Sequence, residues 1–255
     1  MSAAITVYGH RGCSAHAPEN TIASFGMLAE LAQRVTAGSR VIIGVELDVQ
    51  LSADGELVVF HDWDLQRIAG LPTRITAAAY PELARIDVGS WFDARFAAER
   101  IPRLHEVFEL LGERVVYDIE LKHREHGETA LEAAVARAIR HGGLQHRCLV
   151  SSFNPYALRG FRRHAPSIPL GLIYADDPDV PWILRRGAGR FLVSVDVLKP
   201  RRQQARTALR RLRIGRRLPV VPWTVNDPAT ARELLELGCS GIISDDPQAI
   251  SAVVR

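Results

Sequence analysis

Gly9-His10-Arg11-Gly12 and Glu46-Leu47-Asp48, followed by His61-Asp62, place two histidines, an arginine and two carboxylates in the first quarter of a 255-residue chain. A third segment, Ile119-Glu120-Leu121-Lys122, adds a carboxylate and a lysine. Together these groups suit metal-assisted cleavage of a phosphate ester. Glu46 and Asp48 alternate, so on a strand they share one face. Were that face in water, they would form an ordinary polar stripe. Their neighbours Val41, Ile42, Ile43, Val45, Leu47 and Val49 instead make a nearly continuous apolar run, the pattern of a strand buried on both sides. Two carboxylates facing a buried centre repel each other and are costly to desolvate; a divalent cation relieves both costs. Hard cations such as Mg²⁺ or Ca²⁺ prefer oxygen ligands, which Glu46, Asp48 and Glu120 supply. No Cys/His cluster with zinc spacing accompanies them.

The elements that must carry these groups alternate from end to end. Apolar runs predict strands at 5–9, 41–50, 57–60, 115–120, 148–152, 170–174, 191–195, 219–225 and 241–244. Helical patterns predict helices over 21–35, 104–111, 129–140, 155–164, 181–187, 201–212, 228–237 and 247–254. Repeated strand–helix alternation calls for a parallel sheet with helical crossovers. Eight or so such units in 255 residues suit closure into a (β/α)8 barrel of the TIM type. The surplus strand falls at 49–60, where Asp54-Gly55 is a hairpin signal and no helix intervenes. Folding back there would bring His61 beside Glu46 and Asp48. The Pro-containing segment at about 63–102 breaks the alternation after the second and third strands, and reads as an insertion into one domain spanning 1–255. Barrel enzymes build their sites at the C-terminal ends of strands, which is where His10, Glu46, Asp48, His61, Glu120, Lys122, Trp223, Asn226 and Asp245 all fall.

Composition narrows the class. Apolar residues make up 47% of the chain, as in soluble globular proteins. No uninterrupted apolar stretch of about 18 residues predicts a membrane span. The first residues lack the basic start and long apolar core of a signal peptide. Cys13, Cys148 and Cys239 are few and widely spaced, which points to reduced thiols and a cytoplasmic location. The net charge is +3, with eight arginines between Arg201 and Arg217. Arg202, Arg206, Arg210 and Arg213 are spaced as one solvated helix face. The sharper reading is weak contact with an anionic membrane surface. No recognition-helix or zinc-finger pattern supports nucleic acid as a partner. Oligomeric state is not legible.

The ordered set His10-Arg11-Gly12, Pro18-Glu19-Asn20-Thr21, Glu46-Leu47-Asp48-Val49, His61-Asp62, Glu120-Leu121-Lys122, Trp223-Thr224-Val225-Asn226 and Gly241-Ile242-Ile243-Ser244-Asp245 closely resembles the glycerophosphodiester phosphodiesterase family. That resemblance implies a TIM barrel with one insertion. It also implies hydrolysis of small-molecule glycerophosphodiesters, such as glycerophosphocholine or glycerophosphoethanolamine, to sn-glycerol 3-phosphate and an alcohol. By the same resemblance, Glu46, Asp48 and Glu120 match ligands of one divalent metal ion; the expected cytoplasmic location and the short insertion favour Mg²⁺ over Ca²⁺. His10 and His61 match the acid/base pair, Arg11 and Lys122 the phosphate-binding positions, and Trp223 an aromatic residue at the glycerol side. Glu19 and Asn20 match polar positions lining or supporting the site. Either direct attack by water or attack by the glycerol 2-hydroxyl through a cyclic phosphate fits the pattern. The family's Gly-Ala-Asp before the acidic strand is absent, and 34–40 is slightly lengthened.

Milder readings attach to other residues. Thr21 caps the helix that follows it. Ser151, Ser152 and Phe153 could line the pocket, without a base to make a serine nucleophile. His123 and His126 read as exposed loop histidines, Trp91 as core, and Asp245 as either a supporting or a barrel-end acceptor. Two rivals remain: a lysophospholipase D or related lipid phosphodiesterase on the same fold, and a non-catalytic metabolite-binding barrel. A metal-dependent aldolase would explain three carboxylates but not paired histidines with Arg11.

Overall fold

A computed structural model describes residues 4–35, 39–123, 129–178, 180–211 and 218–254. Strand β1 (Ile5–His10) leads through helix α1 (Ile22–Arg34) to β2 (Val41–Leu51), which turns back into β3 (Leu57–Val59). Short helices α2 (Gln66–Ala69) and α3 (Tyr80–Leu83) precede α4 (Leu104–Leu111) and β4 (Val116–Leu121). Then follow α5 (Ala130–His141), β5 (Cys148–Ser152), α6 (Pro155–His164), β6 (Leu170–Tyr174) and β7 (Val197–Pro200). The chain closes through α7 (Arg202–Arg211), α8 (Pro228–Glu236), β8 (Gly241–Ser244) and α9 (Pro247–Ser251).

Seven parallel strands run in the order β7-β6-β5-β4-β2-β1-β8. The expected strand at 219–225 lies between the two ends of that order. On one side Leu198 N–H donates to Pro219 O, and Val221 N–H donates to Leu198 O. On the other, Val225 N–H donates to Ile243 O and Ile243 N–H to Pro222 O. Pro219 and Pro222 have no N–H, so the ladder there is reduced to bridges at Val220 and Trp223. With this segment the parallel strands close into an eight-membered barrel, the expected α/β architecture. Apolar layers between strands and helices hold Phe25, Leu28, Leu47, Leu104, Ile119, Val150 and Phe161, all buried.

Two expectations need correction. Residues 191–195 are not a strand: Ala188–Phe191 is a 3-10 turn and the strand is Val197–Pro200. Val193 and Val195 alternate as strand residues do, yet the register of β6 pairs Gly171 to Tyr174 with Val197 to Pro200. A lysine and a proline in β7 hid it from an apolar-run reading. Residues 181–187 form turns instead of a helix, so among the described residues no α-helix links β6 to β7.

β3 pairs antiparallel with β2 through a turn at Asp54-Gly55, where Gly55 has a φ of 86°. The pairing carries on to Phe60, whose N–H donates to Asp48 O at 3.0 Å. His61 is thereby delivered to the end of β2. The segment that follows has its own apolar cluster, Leu65, Ile68, Ile75, Ala78, Leu83, Val88 and Ile101, seated on Val58 and Phe60.

Candidate active site

At the end of β1 the chain turns sharply: Arg11 has a φ of 58° and Gly12 of 90°. Left-handed backbone costs a non-glycine residue about 1 kcal/mol or more and persists only where its surroundings impose it. Here the turn aims Arg11 N–H at Glu46 O (2.8 Å) and Glu46 Oε2 (3.2 Å). It also sends the guanidinium to Glu19 Oε1 (2.7 Å) and Asp48 Oδ2 (3.3 Å). Asn20, with a φ of 56°, donates from Nδ2 to Asp48 Oδ2 at 2.9 Å. Thr21 next to it caps α1, accepting from Ser24 N–H, as its position before the apolar run suggested.

The β2–β4 register pairs Glu46 with Asp118 and Asp48 with Glu120, so all four carboxylates point into the barrel. Glu46, Asp48 and Glu120 are buried and each offers an oxygen within 4.8 Å of the others'. Burial and the charge of Asp48 push the Glu46 carboxyl well above its ordinary range. Asp48 goes the other way: burial would raise it, but His61, Lys122, Arg11 and the Asn20 bond together hold it low. Three crowded carboxylates with a strained protonation balance fit a hard divalent cation, and the all-oxygen donor set agrees. Lys122 flanks them, 3.1 Å from Glu120 Oε1 and 3.5 Å from Asp48 Oδ1, with the Trp63 ring 5.7 Å from its Nζ.

The two histidines are held alike. His10 Nδ1 lies 2.6 Å from Asp245 Oδ1, and His61 Nδ1 lies 2.6 Å from Asp62 Oδ1. Each bond occupies Nδ1 and leaves Nε2 to exchange a proton. Burial lowers the His10 pKa, and the bond to Asp245 raises it part of the way back. Burial would raise Asp245, but bonds from His10, Asn226 and Ser14 outweigh it and hold the carboxyl at about 2. Asp245 is thus a hub, accepting from Asn226 Nδ2 (2.6 Å) and Ser14 Oγ (3.1 Å) besides His10. Trp223 donates Nε1–H to Lys199 O (2.9 Å) and meets Phe153 edge to face at 5.6 Å.

Several partners are invisible to a motif reading. Arg67 on α2 binds Asp62 Oδ2 (2.6 Å) and Glu19 Oε1 (2.6 Å), tying the His61 and Arg11 supports together. Buried Gln50 donates to the carbonyls of Phe60 and Asp62, both at 2.8 Å, fixing the loop around His61. Below the acidic group, Lys199 Nζ sits 2.7 Å from Asp118 Oδ2 and donates to Ser151 Oγ (2.8 Å). Ser151 Oγ–H in turn donates to Asp118 Oδ1 (2.6 Å). Ser151 is therefore a structural link, not a pocket wall. A polar residue spaced two before Glu120, namely Asp118, was the one available signal.

Two side readings fail. His123 is buried and paired with Glu132 (2.6 Å), because Glu132 at the start of α5 points back under the β4 end. Trp91 is exposed, its Nε1–H on Val88 O and the Arg67 guanidinium 5.7 Å from its ring. His126 and Arg213 lie outside the described residues.

The glycerophosphoryl diester phosphodiesterase family model matches residues 10–249. The chain belongs to that family. It is 33% identical over 257 residues to a glycerophosphodiester phosphodiesterase of Caldanaerobacter subterraneus subsp. tengcongensis, covering 98% of this chain and 97% of that protein. A second relative of that name, from Bacillus altitudinis, is 32% identical over 257 residues, with 94% of each chain covered. Among solved structures, an Oleispira antarctica phosphodiesterase in complex with the product sn-glycerol-3-phosphate superposes with a TM-score of 0.78. It is 28% identical, with 98% of this chain and 96% of that chain covered. A Thermotoga maritima glycerophosphodiester phosphodiesterase is 27% identical, with a TM-score of 0.71 and 99% of both chains covered. As a glycerophosphoryl diester phosphodiesterase family member, this chain is an enzyme on a TIM barrel.

Proposed function

We propose that this chain hydrolyses glycerophosphodiesters to sn-glycerol 3-phosphate and an alcohol, using one divalent cation held by Glu46, Asp48 and Glu120. The observation that carries the reading is the convergence of those carboxylates with Arg11, Lys122 and two carboxylate-backed histidines at the strand ends. The bound cation would act as a Lewis acid on a phosphoryl oxygen. Mg²⁺ suits three carboxylates offering one oxygen each, since it keeps several waters and needs few protein ligands.

The residues divide the remaining work. A phosphodiester carries one negative charge, and in-line attack gathers charge on the equatorial oxygens. Arg11 and Lys122, already oriented by Glu19, Asp48 and Glu120, stabilise that charge more in the transition state than in the ground state. One histidine takes the proton of the attacking hydroxyl and the other gives a proton to the departing alkoxide oxygen. Burial lowers the His10 pKa and favours its neutral form, which suits it to the base and leaves the acid to His61. The perpendicular rings of Trp223 and Phe153 offer an apolar corner for the glycerol carbons. Charged and polar groups surround the acidic cluster, which supports a deacylated substrate over a lysophospholipid. The three buried, unpaired thiols fit a reducing, cytoplasmic setting. We read the whole chain as one catalytic domain carrying an insertion at about 63–102.

The test is release of sn-glycerol 3-phosphate from glycerophosphocholine and glycerophosphoethanolamine with EDTA, Mg²⁺ or Ca²⁺, beside His10→Ala and Glu46→Gln. Turnover that needs the cation and falls about 10²–10⁴-fold in His10→Ala is expected. Absence of turnover by folded protein with every cation overturns the reading.

A further inference from the structure

The β6–β7 crossover is built unlike its neighbours. Each of the other crossovers includes an α-helix among its described residues, whereas 175–196 holds only turns and the 3-10 segment Ala188–Phe191. The segment is nevertheless firmly seated. Val180, Val193 and Val195 are buried, and Gly189 lies so close to Leu172 that a Cβ there would come within 3.0 Å of it. Gln204 of α7 donates to Arg185 O (2.8 Å), and Arg162 of α6 pairs with Asp196 (2.8 Å). What it turns outward is apolar: Trp182 is 79% exposed, Phe191 78%, Ile183 59% and Leu192 49%. Large side chains this exposed and this close in sequence mark an interaction surface rather than scattered surface residues.

Charge decides what the surface fits. Neither α6 nor α7, which grip the segment on its two sides, contains an Asp or Glu. They present exposed Arg159 and Arg163, and Arg202 and Arg210, while Arg206 is paired with Glu233 of α8. The segment itself adds exposed Arg186 and Arg190, with the Arg190 guanidinium 4.7 Å from the Phe191 ring centre. Of the segment's four acids, Asp177 and Asp196 pair with Arg201 and Arg162, Asp176 is exposed, and Asp179 lies outside the described residues. A second copy meeting this face across a two-fold axis would set arginines against arginines. A surface of lipid phosphates offers the complement: guanidinium groups pair with phosphate, and aromatic and aliphatic side chains enter the headgroup–acyl boundary.

We propose that the β6–β7 segment, through Trp182, Ile183, Phe191 and Leu192 flanked by the arginines of α6 and α7, docks the enzyme on anionic phospholipid bilayers. The inference does not depend on the reaction catalysed. It is tested by co-sedimentation of the full chain with vesicles of phosphatidylcholine alone and of phosphatidylcholine mixed with phosphatidylglycerol. Binding to the anionic vesicles only, weakened by added salt, is expected. Trp182→Ala/Phe191→Ala and Arg186→Glu/Arg190→Glu should each bind about tenfold more weakly or worse, from the apolar and charge contributions per residue. Thermal midpoints and turnover of soluble substrate should match the parent protein in both variants. Protein that stays in the supernatant with anionic vesicles, or variants that sediment like the parent, overturn the proposal. A dimer seen by light scattering and dissociated by Trp182→Ala/Phe191→Ala would assign the surface to a second copy, and also overturns it.

Discussion

His10 and His61 sit far apart in the chain but share one construction, a carboxylate at 2.6 Å on Nδ1. That construction fixes the ring and leaves Nε2 as the atom that would carry a proton in the proposed reaction. It also makes a pH prediction with a definite sign. Burial lowers the His10 pKa and Asp245 raises it, so the acid limb of kcat/KM should lie below the ordinary imidazole range. Asp245→Asn removes the raising influence, and the limb should move to still lower pH while the maximum rate falls. A pH–rate profile of the two proteins checks this. An acid limb that moves upward would show that Asp245 does not set the His10 proton equilibrium.

At the scale of elements, two ties hold the site. The first runs from α2: Arg67 joins Asp62 and Glu19 and so steadies both His61 and Arg11. Arg67→Met should lower kcat roughly 10–100-fold with a smaller effect on KM, because the reacting groups lose alignment. Arg67→Lys should recover little, since an ammonium cannot fork between two carboxylates. Steady-state kinetics separate these outcomes. The second tie spans β4, β5 and β7 as Asp118, Ser151 and Lys199. Both charges are fully buried, so removing one strands the other. Lys199→Met should cost about 3–5 kcal/mol of stability, and Lys199→Met with Asp118→Asn distinctly less. Urea unfolding of the single and double variants reads the difference.

At the scale of the molecule, the barrel concentrates negative charge where its parallel strands end. Closure through 219–225, with two prolines and a thin ladder, joins Trp223 to the end of β7 and brings Asn226 round to Asp245 after β8. The crowding of Glu46, Asp48 and Glu120 is a cost to the folded state that a bound cation would remove. A cation at about 100 times its Kd should therefore add about 2.7 kcal/mol, a rise of several degrees in Tm. Glu120→Gln should shrink that rise. A thermal scan with EDTA and with Mg²⁺ measures it without reference to turnover.

Local alternation in the chain was enough to establish the βα repeat, the β2–β3 hairpin, the Thr21 cap and the inward face shared by Glu46 and Asp48. Those features depend on neighbours within a turn or a strand, which the amino-acid order displays directly. Strand ends also placed His10, His61, Glu120 and Lys122 at one mouth, because parallel strands in a barrel must all end on the same side. The tertiary structure alone decided their partners: Asp245 lies 235 residues from His10, Arg67 lies 48 from Glu19, and Lys199 lies 48 from Ser151. Such pairs follow from sheet register and from how crossovers pack. The same holds for β7, whose four residues become a strand only because β6 offers them a ladder, while the more apolar run before them has none.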